Sequence, residues 1–183
     1  LNFSQKRSFS PSSQQINCLI NFSYGTNEMI AAGGTDNLIK LFNLESYDKQ
    51  DVVATLIGHR DYISSLLFVN EMQPLLVSGS GDRSIKVWKL SNNTCIQNII
   101  AHADAVLALV YIGKNLFVSG SGDKFCKIWN INSGACVKNI QIHAEAITCI
   151  VSLAPLKKSL IASGSWDSEV KIWDFEDQND SIS

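Results

Sequence analysis

The chain has 183 residues, of which 45% are hydrophobic and 17% charged, and it contains three prolines. This composition is typical of a globular protein with a sizeable core and excludes an intrinsically disordered chain. The formal net charge of −2 gives no general field for nucleic acid or an anionic membrane, and no apolar run approaches the roughly 18–20 residues that cross a bilayer.

Short apolar runs, separated by turns rich in Gly, Asn and Asp, predict β-strands from one end of the chain to the other. The first run covers residues 3–9, and a second begins at Ile16. No stretch shows the sustained 3.6-residue periodicity of a helix, so the predicted class is all-β. The clearest later group has predicted strands at 52–56, 63–68, 75–80 and 85–90, and a tight turn at Gly81-Asp82.

The chain repeats itself with steps of 46, 41 and 44 residues between equivalent aspartates, and each aspartate stands six residues before an aromatic residue. Self-similarity at a period of about 40–45 residues indicates a repeat architecture. Three copies also carry a histidine four residues before the next apolar run, whereas Ser12 stands at that position in the first copy. The aspartate–aromatic pairs are Asp36 and Phe42, Asp82 and Trp88, Asp123 and Trp129, and Asp167 and Trp173.

Over residues 3–175 the chain resembles the WD40 repeat in three features. These are a turn like Gly58-His59, an S-G-x-x-D turn and an I-K-x-W strand in which x is apolar. The literal Trp-Asp pair stands only at Trp173-Asp174. The resemblance implies a WD40 β-propeller with four four-stranded antiparallel blades around a central channel, in which the next repeat supplies the outermost strand of each blade. We expect a propeller segment over residues 1–175, with repeats at about 3–44, 52–90, 95–131 and 135–175, and a polar tail at 176–183.

Four repeats are fewer than the seven blades that are usual in this family. They fit a truncated part of a larger ring, an open arc, or half of an eight-bladed dimer. No predicted strand follows residue 175 to finish the last sheet, and the segment that could finish it, residues 3–9, lies at the other end of the chain. Open repeat arrays leave uncapped apolar faces and strand edges, so self-association through these edges is expected.

The resemblance implies that a histidine, a serine, an aspartate and a tryptophan converge in each of three blades as a hydrogen-bonded structural tetrad. A hydrolase triad is the competing interpretation, but a nucleophilic serine needs an exposed oxygen and one site, whereas here the trio recurs three times. We therefore expect no catalytic residue. The predicted tetrads are His59, Ser78, Asp82 and Trp88; His102, Ser119, Asp123 and Trp129; and His143, Ser163, Asp167 and Trp173.

The glycines of the repeat have structural interpretations as well. Gly79, Gly120 and Gly164 are expected where neighbouring blades approach closely, and Gly81 and Gly122 are expected to adopt positive φ beside the turn aspartate. No G-K-[ST] follows any glycine-rich run, so nucleotide binding is not predicted.

Cysteine and lysine also recur with the repeat. The five cysteines have no C-x-x-C spacing, and four of them occupy equivalent positions in pairs, Cys18 with Cys149 and Cys95 with Cys136. This favours buried apolar filler and a reducing compartment over disulfides or zinc. No cofactor or metal is expected. A lysine recurs in the last inner strand of every copy, either as a packed stem whose amine reaches water or as a cationic ring for nucleic acid. These lysines are Lys40, Lys86, Lys127 and Lys171.

Binding residues in such a fold lie in loops, so loop residues that differ from those at the equivalent positions of the other copies are the candidates for binding. Trp166 stands where the other copies have Thr or Gly, and Arg60 and Tyr62 stand where later copies have Ala. We predict these three residues as a partner-binding patch. The predicted function is a non-catalytic, intracellular scaffold, cytoplasmic or nuclear, that presents its rim to a protein or peptide within a larger complex. The alternative is a platform for nucleic acid, phosphoinositide or modified peptide, for which Lys157-Lys158 is the one basic pair near such a surface.

Overall fold

The computed structural model describes residues 14–45, 52–154 and 159–175, and these residues form fifteen β-strands and no helix. The strands are β1 (Ile16–Tyr24), β2 (Asn27–Gly34), β3 (Leu38–Asn43), β4 (Val52–Ile57), β5 (Ile63–Asn70), β6 (Pro74–Ser80), β7 (Ser84–Lys89), β8 (Thr94–Ile100), β9 (Val106–Gly113), β10 (Leu116–Ser121), β11 (Phe125–Asn130), β12 (Cys136–Gln141), β13 (Ile147–Ser152), β14 (Leu160–Ser165) and β15 (Val170–Asp174).

The strands pair in chain order into four antiparallel sheets, which we call blades 1 to 4. Blade 1 is β1–β4, blade 2 is β5–β8, blade 3 is β9–β12 and blade 4 is β13–β15. The fourth strand of each complete blade immediately precedes the first inner strand of the next one, so one repeat is divided between two sheets. The predicted all-β architecture of antiparallel blades is confirmed. The segment predicted to finish blade 4, residues 3–9, lies outside the described residues.

Neighbouring blades pack face to face through alternate residues of their inner strands. Blade 2 presents Leu76 and Trp88 to blade 1, and its opposite face presents Val77 and Val87 to blade 3. Because both faces of its inner strands are covered, β6 and β7 are buried along almost their whole length. This double burial requires apolar or fully hydrogen-bonded side chains at successive positions, and it explains the near-continuous apolar runs in the sequence.

Glycine in the second strand of blades 1 to 3 marks a close approach between blades, as the sequence predicted for Gly79 and Gly120. The third predicted glycine, Gly164, contacts Cys149 of its own blade among the described residues. A Cβ atom on Gly79 would lie 2.6 Å from Val106 Cγ1 in blade 3, a distance that real contacts do not reach. The equivalent glycine of blade 3, Gly120, has the same relation to Ile147 of blade 4. Glycine therefore opens a slot in one blade for the first side chain of the next blade.

The turn glycines correct a second expectation. Positive φ occurs at Arg83 and Lys124, directly after the turn aspartates, and not at Gly81 or Gly122. Gly81 is needed for space, because a Cβ atom there would clash with the ring of Tyr62. The expectation that glycine supplies the left-handed conformation of this turn is wrong.

The cysteines also differ from the prediction. Cys126 is buried between blades, but Cys95, Cys136 and Cys149 are exposed and Cys18 is half-buried. Cys95 and Cys136 lie on the outermost strands of their blades, where one side of the sheet faces solvent. Equivalence within the repeat predicted their position correctly but not their exposure.

The packing between blades makes a direct stability prediction. Phe117 is fully buried between blades 2 and 3, so Phe117→Ala should lower the free energy of unfolding by about 3–5 kcal/mol. Val137 on β12 is exposed, and Val137→Ala should change it by no more than about 0.5 kcal/mol. Urea denaturation followed by circular dichroism measures both. Equal losses for the two variants would contradict the assigned packing.

Candidate functional site

The four predicted tetrad residues of blade 2 converge on the hydroxyl of Ser78. His59 Nε2 lies 2.7 Å from Ser78 Oγ, and the indole Nε1–H of Trp88 donates to the same oxygen at 2.9 Å. On its other side, His59 Nδ1 lies 2.8 Å from Asp82 Oδ2. Because a carboxylate only accepts, the imidazole proton is on Nδ1, and Nε2 accepts from the serine O–H. The chain of hydrogen bonds therefore runs from the buried indole to the turn.

Blade 3 repeats this geometry. His102 Nδ1 lies 2.8 Å from Asp123 and its Nε2 lies 2.7 Å from Ser119 Oγ. The Nε1–H of Trp129 donates to that hydroxyl at 2.8 Å. Blades 2 and 3 thus have the same four-membered network.

Blade 4 corrects the prediction of a third tetrad. His143 bridges Asp167 and Ser163 at 2.8 Å on each side. However, the Nε1–H of Trp173 is buried and has no hydrogen-bond acceptor. The network there has three members, and Trp173 lies on β15, the strand that lacks an outer neighbour among the described residues.

The three serines are in no position to act as nucleophiles. Ser78 and Ser119 are fully buried and Ser163 nearly so. Two of the three oxygens already carry an indole hydrogen bond and an imidazole hydrogen bond. A nucleophile needs an exposed oxygen that approaches a substrate carbon, so this arrangement holds a blade together and provides no reaction site.

The turn carboxylates are kept ionised by the bonds they accept. Burial raises the pKa of Asp82, but hydrogen bonds from the Ser84 hydroxyl, the Arg60 amide and His59 outweigh burial and hold it well below its usual range. Burial also raises the pKa of Asp167. Hydrogen bonds from His143 and from two backbone amides outweigh burial and lower this pKa to about 2. Desolvation by burial lowers the pKa of His59, although the carboxylate beside it acts in the opposite direction.

The repeated lysines do not form a cationic ring. Lys86 is buried and donates to Asn98 Oδ1 at 2.8 Å, and Lys127 and Lys171 donate to backbone oxygens of Ala101 and Ile142. Lys40 pairs with Asp36 at 2.6 Å. Lys127 and Lys171 therefore bond the chain just after the outer strand of the preceding blade. The expectation that the amines reach into water is wrong for Lys86.

The predicted patch residues lie in loops of blades 2 and 4. Trp166 is 73% exposed, and its amide donates to Ala146 O at 3.0 Å. Arg60 is exposed, and Tyr62 is half-buried with its ring against Gly81. Among the described residues, no hydrogen bond or ring contact joins Trp166 to Arg60 or Tyr62. The three residues stay a predicted patch.

Sequence reasoning missed an acidic residue that recurs beside this patch. Asp61, Asp104 and Glu145 occupy the second position after the tetrad histidines, and all three are exposed. Burial, and after it the charges of Asp61 and Asp104, raise the pKa of Tyr62. The signal was available, since these residues align with one another in the repeats.

One group of side chains has the composition of a metal site. The ligand atoms of His143, Asp167 and Glu169 lie within 4.8 Å of one another. The first two are already bonded to each other in the blade 4 network, and Glu169 pairs with Lys171 at 3.0 Å. These atoms are engaged in structural bonds, so we assign no metal to them. No helix long and apolar enough to cross a bilayer occurs in the described segments.

Comparison with known families gives two matches. A model described as "WD domain, G-beta repeat" matches residues 93–130 and 134–174. A model described as "tRNA methyltransferase TRM82 WD40 domain" matches residues 52–110. Together these matches cover most of blades 2 to 4.

Several curated proteins are similar to the chain. Pre-mRNA-processing factor 19 of Bos taurus is 28% identical over 157 residues, which are 84% of this chain and 30% of that protein. F-box/WD repeat-containing protein sel-10 of Caenorhabditis elegans is 32% identical over 87 residues, 48% of this chain and 14% of that protein. The chain spans less than a third of the length of these relatives.

Solved structures share the fold. The WD40 beta propeller domain of Doa1 is 28% identical with a TM-score of 0.68, and the match covers 80% of this chain and 47% of that domain. The computationally designed Ika4 protein has a TM-score of 0.77 at 24% identity, and the match covers 94% of this chain and 99% of that one. The second likeness concerns the fold alone.

The incomplete network of blade 4 predicts unequal costs for three equivalent substitutions. Ser78→Ala and Ser119→Ala each leave a buried indole N–H and an imidazole nitrogen without a partner, and each should cost about 1–3 kcal/mol. Ser163→Ala leaves only the imidazole unpaired and should cost less. Urea denaturation of the three variants measures the difference, and a Ser163→Ala loss as large as the others would contradict the assigned network.

The buried histidines predict how stability depends on pH. Because burial lowers the pKa of His59 and His102 in the folded chain, the unfolded chain binds protons first as the pH falls below about 6.5. The free energy of unfolding should be flat between about pH 7 and about pH 8 and decrease below about pH 6.5. Below about pH 4 it should decrease again, because the turn aspartates have lowered pKa values and must be protonated.

Chemical denaturation at a series of pH values measures this profile. The control is the variant His59→Gln/His102→Gln, in which the decrease between about pH 7 and 5 should become shallower. An unchanged slope in that variant would assign the decrease to other groups.

Proposed function

The chain belongs to the WD40-repeat family, and on this premise we propose that it is a non-catalytic scaffold that presents its propeller rim to a protein or peptide partner within a larger complex. WD40 propellers are typically protein-interaction platforms and are generally non-catalytic. We further propose that residues 1–175 form the propeller segment and that 176–183 are a polar tail. An intracellular location, cytoplasmic or nuclear, is part of this proposal and is supported by the five free cysteines.

The exposure of Trp166 is the observation that carries the proposal. Its ring is 73% exposed at a turn where Gly81 and Gly122 stand in blades 2 and 3, so the turn itself does not require a large side chain. The backbone bond to Ala146 and the anchored Asp167 hold this turn in place. Exposed tryptophan on a rigid turn loses little side-chain entropy on binding, and tryptophan is enriched at binding hot spots.

Arg60 and Tyr62 supply a second contact region on blade 2. The Tyr62 ring packs on Gly81 and is therefore held in place before any partner binds. Arg60 and Asp61 are exposed in the same loop, so charges of both signs stand next to an aromatic ring in the chain. Such a mixture suits a polypeptide that carries both apolar and charged side chains.

The alternative function, a platform for nucleic acid, phosphoinositide or modified peptide, has less support. Its basic pair, Lys157-Lys158, lies outside the described residues. The amines of the repeated lysines already have hydrogen-bond or ion-pair partners in the chain, as Lys127 has Ala101 O. Exposed carboxylates in the same loops repel phosphate groups.

Peptide display on the immobilised chain tests the proposal. Peptides selected on the wild type should lose affinity for Trp166→Ala and Arg60→Ala by at least about tenfold, or ~1.4 kcal/mol, in fluorescence polarisation. Val137→Ala, an exposed change on an outermost strand, is the matched control and should bind as the wild type does.

Equal affinity of the selected peptides for all variants would contradict the proposal that Trp166 and Arg60 bind the partner. Salt-dependent binding of a single-stranded RNA 20-mer or of phosphoinositide vesicles, with no peptide selected, would favour the alternative function instead.

A further inference from the structure

A cavity of about 410 Å³ opens between blades 2 and 3, at the end of the strands that lies away from the tetrad turns. β5 begins at Ile63, next to those turns, and ends at Asn70, roughly 23 Å further on, beside the cavity. The lining comes from the β5–β6 turn of blade 2, the β9–β10 turn of blade 3 and the turn after β11. The cavity therefore lies between two complete four-stranded blades, on the face opposite to Trp166.

The cavity is large because blade 2 differs from blade 1 in two side chains. The equivalent cavity between blades 1 and 2 has only about 180 Å³ and is lined by Phe22 and Tyr24. The strand register places Val69 and Glu71 at these two positions of blade 2. A valine and a glutamate thus replace two aromatic rings. The larger cavity falls within the roughly 300–1,000 Å³ of ligand-binding pockets, and the smaller one does not.

The floor of the cavity is apolar and its rim is polar or adaptable. Val69, Leu75 and Ile131 are buried between the blades and form the floor. Met72 is 82% exposed at the rim, and its unbranched side chain can fold over an apolar group that enters. The exposed side-chain amide of Gln73, also at the rim, can donate to and accept from a peptide backbone.

Hydrogen bonds between the turns hold the walls of the cavity in place. The Ile131 amide donates to Asn115 O at 2.9 Å, which joins two turns of blade 3. Gln97 Nε2 of blade 2 donates to Ile131 O and to Asn132 O, each at 2.9 Å. The Asn115 amide donates to Glu71 Oε2 at 3.2 Å, which joins blade 3 to blade 2. The cavity is therefore formed before a ligand enters, and binding requires little ordering of the chain.

Glu71 gives the cavity its charge. Of the described residues that line it, Glu71 alone is charged, and it is exposed. The Asn115 amide donates both to Glu71 and, at 3.2 Å, to Tyr111 Oη, so the carboxylate is held at the edge of the cavity. Tyr24 and Lys114 stand at the equivalent positions of blades 1 and 3, so this carboxylate occurs in blade 2 only. A carboxylate beside an apolar cavity favours a cation next to an apolar group and repels phosphate and acidic peptides.

We propose that this cavity is a docking site for an extended segment of a partner protein in which a large apolar side chain stands next to a lysine or arginine. The apolar side chain enters between Met72 and Ile131, and the cation pairs with Glu71. The site lies on the face opposite to the predicted patch at Trp166. It is a second contact surface and does not rest on the proposed function.

Peptide selection against a filled cavity tests the site. A phage library of random dodecapeptides is selected on the chain and counter-selected on Val69→Phe, which gives blade 2 the ring that lines the smaller cavity of blade 1. The counter-selection removes peptides that bind elsewhere, the Trp166 patch included. The remaining peptides should carry a lysine or arginine next to a large apolar residue. Circular dichroism identical to that of the wild type shows that Val69→Phe is folded.

Charge reversal tests the ion pair. In fluorescence polarisation with a selected peptide, Glu71→Lys should weaken affinity by at least about tenfold, because it places a cation against the cation of the ligand. Glu28→Lys is the matched control, since Glu28 is an exposed carboxylate at the same end of the strands in blade 1. Its reversal should change affinity by less than about twofold at physiological salt, which screens a distant charge. An equal loss in both variants would show general attraction and contradict the assigned pair.

The two methionines of the chain report where the peptide binds. Met72 lines this cavity, and Met29 lines the equivalent cavity between blades 1 and 2. In a chain labelled with ¹³C-methyl methionine, a selected peptide should shift the Met72 methyl resonance in a saturable way and leave that of Met29 unchanged. Met72→Leu assigns the two signals.

The outcomes separate the proposal from its alternatives. A basic and apolar peptide that shifts Met72, is lost in Val69→Phe and is weakened by Glu71→Lys supports the site. A selection that yields no peptide sensitive to Val69→Phe, selected peptides that are acidic, or a shift at Met29 without one at Met72 overturns it.

Discussion

A single WD40 blade cannot bury its own apolar faces, so each blade depends on a neighbour packed against both sides. In blade 2 this condition is met, and β6 and β7 are buried along almost their whole length. Among the described residues, blade 4 has a neighbour on one side, and β15 is exposed or half-buried along its whole length although its sequence closely resembles that of β7. The exposure of a residue in this chain thus follows from its place in the arc as much as from its chemistry.

The hydrogen-bond network follows from the same constraint. Double burial traps an indole N–H, an imidazole and a serine hydroxyl, and each of them would destabilise the fold if it were left unpaired. Joining them to the turn aspartate satisfies all of them and also fixes the turn that faces solvent. The anchored Asp167 directly follows Trp166, so the structural network positions the residue on which the proposed function depends.

The sequence alone predicted the blades and most of the network because these features recur. It placed His59 with Asp82, and Gly79 at a close approach, from spacing and family resemblance. It did not predict the unpaired Trp173 indole or the exposed Cys95. Residues at equivalent positions of the repeat have different surroundings at the end of the described blades and on an outermost strand that meets solvent. The turn conformation at Arg83 was missed because Gly81 is required for space and not for its backbone freedom. The proposed binding residues each occur in one copy only, so comparison of the copies does not indicate their role.

Hydrogen exchange of the four tryptophan indoles, followed by NMR, tests the central claim that the repeated residues are scaffold and that the departure from the repeat is accessible. The account predicts slow exchange at Trp88 and Trp129, whose N–H groups are buried and bonded to serine, and immediate exchange at the exposed Trp166. Trp173, buried without an acceptor, should lie between them. Rapid exchange at Trp88 and Trp129, or protection of Trp166 equal to theirs, would contradict it.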